Sequence, residues 1–163
     1  MPETPQIISL SDTLRLRKYD GNFALFLPAY QDPYIYQNSE GIFDDAKKPD
    51  LDYVRRMCAY LDKTGAFYYI EAKEDDRFIP IGDVTIKPEN PPIAIWLKRY
   101  RGIGIGKMVM QVVIDTLRAQ GHACITGSIV YKWNTASQHL HESLGFQKSG
   151  ENETEIFYTL NLN

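Results

Sequence analysis

Lys98-Arg99-Tyr100-Arg101-Gly102-Ile103-Gly104-Ile105-Gly106-Lys107 is the stretch on which the fold turns. Three glycines at alternate positions follow a short apolar run, Ile93–Leu97. They open onto a segment whose apolar residues Ile105, Met108, Val109, Val112, Val113 and Leu117 recur at helical spacing, with Gly121 beyond its end. A strand therefore runs into an amphipathic helix through a loop where no side chain obstructs the backbone N–H groups. The helix dipole adds positive character at the same end, and Arg101 and Lys107 flank it, so the loop is a cradle for an anion such as a pyrophosphate.

Spacing excludes two nucleotide loops. A dinucleotide fingerprint G-x-G-x-x-G begun at Gly102 and Gly104 requires glycine where Lys107 stands. A Walker A loop ending on Gly106-Lys107 requires glycine at Arg101 and Ser or Thr at Met108.

Outward from the loop, His122–Val130 reads as the next strand, so strand, helix and strand form a parallel pair joined by a right-handed crossover. A further helix begins near Asn134, with Ala136, Leu140 and Leu144 on one stripe and Gly145 at its end. Phe146–Lys148 and Glu155–Leu162 close the chain as strands. Toward the N-terminus, Ala66–Lys73 and Phe78–Lys87 form a hairpin across the turn Glu74-Asp75-Asp76-Arg77. Asp50 caps a helix that carries Leu51, Val54, Met57, Cys58 and Leu61 and stops at Gly65. The alternation of Leu14 and Leu16 with Arg15 and Arg17 marks the first strand. The aromatic-rich stretch from Asn22 to Asp45, broken by Pro28 and Pro33, reads as a short helix followed by a long loop.

The whole is one α/β (α+β) domain over residues 1–163: a mixed sheet of about seven strands with helices on both faces. At this length a chain buries roughly 70% of its unfolded surface, enough for one core. Eighteen basic and 21 acidic residues, net charge −3, argue against a dedicated nucleic-acid surface. The start of the chain lacks a signal-peptide pattern and no apolar run reaches membrane length, so the expected location is cytoplasmic, away from the membrane. Cys58 and Cys124 lack metal-ligand spacing and read as small core residues.

Arg101-x-x-Gly104-x-Gly106 resembles the coenzyme A signature Q/R-x-x-G-x-G/A of the GNAT acetyltransferases. Asn134-x-x-Ser137 leading into Leu144-Gly145-Phe146 is similar to the second half of the family pattern. The resemblance covers residues 78–163 in detail and the earlier part in its order of elements. It implies a GNAT-like, mostly antiparallel sheet with a splayed parallel pair at the cofactor site, acetyl-CoA as co-substrate, no metal, and an amine-bearing acceptor. The family commonly forms dimers, so a homodimer is one expected arrangement. By the same resemblance Ile95, Trp96 and Leu97 offer backbone groups to the pantetheine arm. Arg101, Gly102, Ile103, Gly104, Ile105, Gly106 and Lys107 hold the pyrophosphate, and Asn134 lies near the reacting end. A backbone N–H of the fourth strand steadies the oxyanion.

The chain departs from the pattern at two places. The stretch between Leu97 and Arg101 is one residue shorter than the common form, and His141 stands where many members carry a Tyr that protonates the leaving thiolate. Seven residues return a helix almost to its starting direction, so His141 shares the Asn134 face and is a candidate general acid, or else a polar helix residue. Asp83 among Ile79, Ile81 and Thr85, and Glu71 on the preceding strand, are candidate general bases, because burial raises a carboxylate pKa. The reaction implied is direct N-acetylation of a small-molecule amine or a peptide N-terminus. The alternative is a non-catalytic acyl-CoA-binding sensor. Asp44 and Asp45 in the aromatic loop either attract a cationic acceptor or are solvated acids.

Overall fold

The computed structural model describes residues 4–163. Eight strands and five α-helices follow one another as β1 (Ile7–Ser9), β2 (Leu14–Lys18), α1 (Phe26–Tyr30), α2 (Pro33–Glu40), α3 (Leu51–Thr64), β3 (Ala66–Glu74), β4 (Arg77–Ile86), β5 (Ile93–Ile95), α4 (Ile105–Ala119), β6 (Cys124–Tyr131), α5 (Thr135–Ser143), β7 (Gln147–Glu151) and β8 (Glu155–Asn161). The strands form two hydrogen-bonded groups, β1-β2-β3-β4-β5 and β6-β8-β7, whose internal pairings are all antiparallel. One isolated parallel bridge, Glu89 to Thr126, joins them.

The mixed fold of helices and largely antiparallel strands is the one expected, with an eighth strand, β1, added at the edge. Its three residues are too few to show a period-two pattern. The β3–β4 hairpin closes at Glu74 opposite Arg77, with Asp75 and Asp76 both at positive φ, the conformation a two-residue turn needs to match strand twist.

β3 is buried on both faces, which its unbroken run Phe67-Tyr68-Tyr69-Ile70 reflects. Tyr68 and Ile70 meet Val109, Met110, Val113 and Leu117 of α4 in one core cluster. Phe67 and Tyr69 meet Phe26, Val54 and Cys58 of α1 and α3 in the other. On α4 the buried stripe runs through Ile105, Val109, Met110, Val113, Ile114 and Leu117, while Met108 is exposed. The apolar face is thus rotated by part of a turn from the one its spacing suggested, because Met110 and Ile114 also face the sheet. Cys58 is buried as expected, and Cys124 is only half-buried. Among the described residues no helix is long and apolar enough to cross a membrane.

The long loop expected after Tyr30 is instead largely helical. Asp32 accepts a hydrogen bond from the Tyr34 N–H at 3.0 Å and Pro33 occupies the first turn, so α2 starts on a capped, pre-set backbone. It ends at Gly41, which needs its φ of +68° and has no room for a side chain: a Cβ would lie 2.7 Å from the Tyr131 ring. Replacing the cap, Asp32→Ala, is expected to cost about 1 kcal/mol of stability in urea unfolding, the usual worth of such a cap.

Candidate active site

β5 bonds to β4 through the Pro92 carbonyl, which accepts from Thr85 N–H, and the Trp96 N–H, which donates to Ile81 O at 2.7 Å. Strand alternation then turns the N–H groups of Ile93 and Ile95 away from β4, toward the space between β5 and β6. No ladder closes that space. It is a groove of about 460 Å³ lined by Ile93 to Ile95, the glycine loop, and the facing turns of α4 and α5.

The loop at its end is built for an anion. Gly102 and Gly104 sit at φ of +73° and +92°, which L side chains rarely adopt. Gly104 is the N-cap of α4 without any side-chain cap, and the first intrahelical bond is Met108 N–H to Gly104 O. The N–H groups of Ile105, Gly106 and Lys107 therefore have no partner in the helix and point out of its N-terminus.

Of the residues singled out from sequence, Ile95, Arg101, Gly102, Gly104, Ile105, Gly106, Lys107 and Asn134 line this groove; Trp96, Leu97 and Ile103 do not. Trp96 is buried on the opposite side, and Ile103 is exposed. Arg101 folds back rather than outward: its guanidinium donates to the carbonyls of Ile95 at 2.9 Å and Trp96 at 2.6 Å and stacks over Tyr34 at 3.7 Å. Two carbonyls expected to face a ligand are thus already satisfied by Arg101. What β5 offers the groove is the Ile93 and Ile95 N–H groups.

A second cavity, of about 320 Å³, opens on the far side of α2 and holds Glu40, Asp83 and His141 among its lining residues. The two cavities share Asn38, Ser39, Ile93, Ala94, Asn134 and Ser137, so they meet where β5 passes under the C-terminal turn of α2 and the start of α5. Two hydrogen bonds hold α2 across this junction: Trp133 Nε1 donates to Gln37 O at 2.8 Å, and Asn134 Nδ2 to Asn38 O at 3.4 Å. Asn134 also caps α5 through its Oδ1, which accepts from Ser137 N–H at 3.1 Å.

Asp83 lies at the floor of the second cavity, 1% exposed, its Oδ2 accepting from Tyr30 OH and Trp96 Nε1, each at 2.8 Å. Burial raises its pKa to about 6 despite those two donors. Glu71 is elsewhere: it lines neither cavity, and its two carboxylate oxygens are taken by Arg15 at 2.8 Å and Arg17 at 2.9 Å. That bonding makes it an ion-pair centre on the sheet, not a group facing an acceptor.

His141 is buried, stacked on Tyr158 and edge-on to Phe146. Its Nδ1 lies 2.7 Å from Ser137 O, and a carbonyl can only accept, so Nδ1 carries the proton. Burial lowers its pKa, so the ring is neutral at and above neutral pH and Nε2 presents a lone pair. A neutral imidazole held in this tautomer can accept a proton at Nε2, at a position the sequence left open between a general acid and a polar helix residue.

Glu40 is the residue that sequence reasoning passed over. It ends α2, accepts from Tyr53 OH at 2.7 Å, and burial with the nearby charge of Asp83 raises its pKa to about 7. The acids noted instead have local work: Asp44 caps a short turn through Ala46 N–H, and Asp45 accepts from Tyr36 OH. The Asp32-Pro33 start followed by a glycine after Glu40 was the available signal, since it ends a helix at that acid. Among the described residues no cluster of three or more His, Cys, Asp or Glu is placed to hold a metal ion.

The fold recurs in solved structures. A domain from Methanocaldococcus jannaschii superposes with a TM-score of 0.77 at 22% identity, over 91% of this chain and 97% of that one. The microcin self-immunity acetyltransferase MccE, solved with acetyl-CoA and AMP, gives 0.70 at 16%, covering 97% of each chain. The ribosomal-protein alpha-N-acetyltransferase RimL, solved with coenzyme A, gives 0.69 at 16%, over 95% of this chain and 97% of that one. No curated protein matches in sequence. The acetyltransferase (GNAT) family model matches residues 26–146, and the chain belongs to that family.

Gly104→Val tests the cradle. A valine at φ of +92° is strained by about 1–2 kcal/mol and would rotate the loop N–H groups out of line. The variant is expected to remain folded and to lose most of the rise in Tm that acetyl-CoA gives the wild type.

Proposed function

We propose that this chain is an N-acetyltransferase that moves the acetyl group of acetyl-CoA onto a primary amine by direct attack. The observation that carries the reading is the junction of the two cavities: a groove ending in an anion cradle meets an acid-bearing cavity at Asn38, Ser39, Ala94 and Asn134.

The groove residues fit the co-substrate. Unpaired N–H groups of Ile105, Gly106 and Lys107 suit its pyrophosphate, with the α4 dipole and the Lys107 cation in support. The N–H groups of Ile93 and Ile95 are the donors that β5 can turn on the pantetheine amides and on an oxyanion at the junction.

An amine reaches the cavity as an ammonium ion and must lose a proton before it attacks. Asp83 and Glu40, with pKa values raised to about 6 and about 7, are matched to that task near neutral pH. As the amine nitrogen bonds to the acyl carbon and the carbon–sulfur bond breaks, the second amine proton passes to the departing sulfur, so coenzyme A leaves as its thiol. His141 is neutral in this scheme and need not supply a proton, because the sulfur takes the one that the amine releases.

Thiol release from acetyl-CoA with a panel of amines tests the activity. Stabilisation by acetyl-CoA without turnover of any amine would leave a binding module instead. The carboxylate pair sets the expected pH profile: the base must be ionised, so kcat/KM rises with pH through the interval from about 6 to about 7. Glu40→Gln is expected to lower kcat by about 10²-fold and to remove the upper part of that rise, measured where chemistry limits turnover.

A further inference from the structure

Resting on that reading, we infer that the acceptor is an aliphatic amine with a second positive charge, a diamine or polyamine, whose distal ammonium is held by Glu155. Three carboxylates line the acceptor cavity, Asp83, Glu40 and Glu155. Asp83 is 1% exposed; Glu40 and Glu155 are half-buried.

Glu40 and Glu155 are brought together by packing around Tyr131. Gly41, the residue after Glu40, lies against the Tyr131 ring. Glu155 faces Tyr131 across the β6–β8 ladder as its register partner. Tyr131 lines the same cavity, so Glu40 and Glu155 are both placed beside one side chain of its wall.

One cation, Lys87, lines the cavity with these three acids, its Nζ 5.0 Å from the centre of the Tyr60 ring in the same wall, so the acids outnumber it. The same lining carries apolar surface, with Pro91, Pro92, Ile93 and Val130. Acids separated by apolar surface complement ammonium groups separated by methylene carbons.

A second observation points to a ligand in the same cavity. Ser128, 2% exposed, lines it, and the Ser128 Oγ has no hydrogen-bond partner. Buried hydroxyls are rarely left so, and an N–H donor entering the cavity would satisfy it. In the bound pose one amine reaches Asp83 and Glu40 from the junction and is the nitrogen acetylated. The other pairs with Glu155.

The test compares putrescine and spermidine with butylamine as acceptors for the full chain at saturating acetyl-CoA. The expected kcat/KM for putrescine exceeds that for butylamine by about tenfold or more, the worth of one charge-assisted contact. Glu155→Gln should shrink that ratio by about tenfold, and Glu155→Asp should keep most of it. Equal kcat/KM for putrescine and butylamine in the wild type, an unchanged ratio in a folded Glu155→Gln protein, or faster acetylation of a peptide N-terminus than of either would overturn the inference while leaving N-acetylation in place. Absence of turnover with every amine, despite acetyl-CoA binding, would overturn both.

Discussion

β5 satisfies only one of its two edges, and the rest of the molecule is arranged around the edge left open. Unpaired strand N–H and C=O groups normally recruit another strand or are covered, because leaving them without partners is costly. Here the carbonyls of Ile95 and Trp96 are capped by Arg101, while the N–H groups of Ile93 and Ile95 remain for a guest. β6 is kept from pairing with β5, and the bridge from Glu89 to Thr126 is the point from which the two diverge. Asn90 fixes that point, accepting from Ile129 N–H through its side chain and donating its own N–H to Thr126 O.

α2 spans the opening from the other side. Its C-terminal turn is tied to the β6–α5 connection by Trp133 and Asn134, and Trp133 is flanked by Phe43 and Tyr131. One short helix thereby divides a single cleft into a groove and an acid-bearing cavity and sets the aperture between them. Stability and function share this device: the interactions that hold α2 in place also position Ser39 at the junction and Glu40 in the cavity beside it.

The glycine loop, α3 and the β3–β4 hairpin were legible because each is written in local chemistry: alternate glycines before a regular apolar stripe, an Asp cap, a charged two-residue turn; the splay came only with the family resemblance. The groove-lining glycines were legible for the same reason. What local reading could not supply was direction and long-range pairing. Nothing near Arg101 in sequence shows that its guanidinium turns back onto β5. Glu71 and Asp83 look alike as single acids on strands, and only their partners separate them: Arg15 and Arg17 for one, Tyr30 and Trp96 for the other. His141 was placed on the right helix face, but its tautomer depends on Ser137 O and its charge on burial against Tyr158 and Phe146. α2 was missed because its Tyr and Asn content obscures the apolar period, although Asp32-Pro33 announces its start.

The central claim is that the open edge of β5 and the unpaired amides of the glycine loop together form the acetyl-CoA groove. Amide chemical shifts followed by two-dimensional NMR during titration with acetyl-CoA test this most directly, since they report each N–H separately. The account predicts large, saturable shifts at Ile93, Ile95, Ile105, Gly106 and Lys107, with little change at the β3–β4 turn. Binding that leaves those five amides unmoved would contradict it.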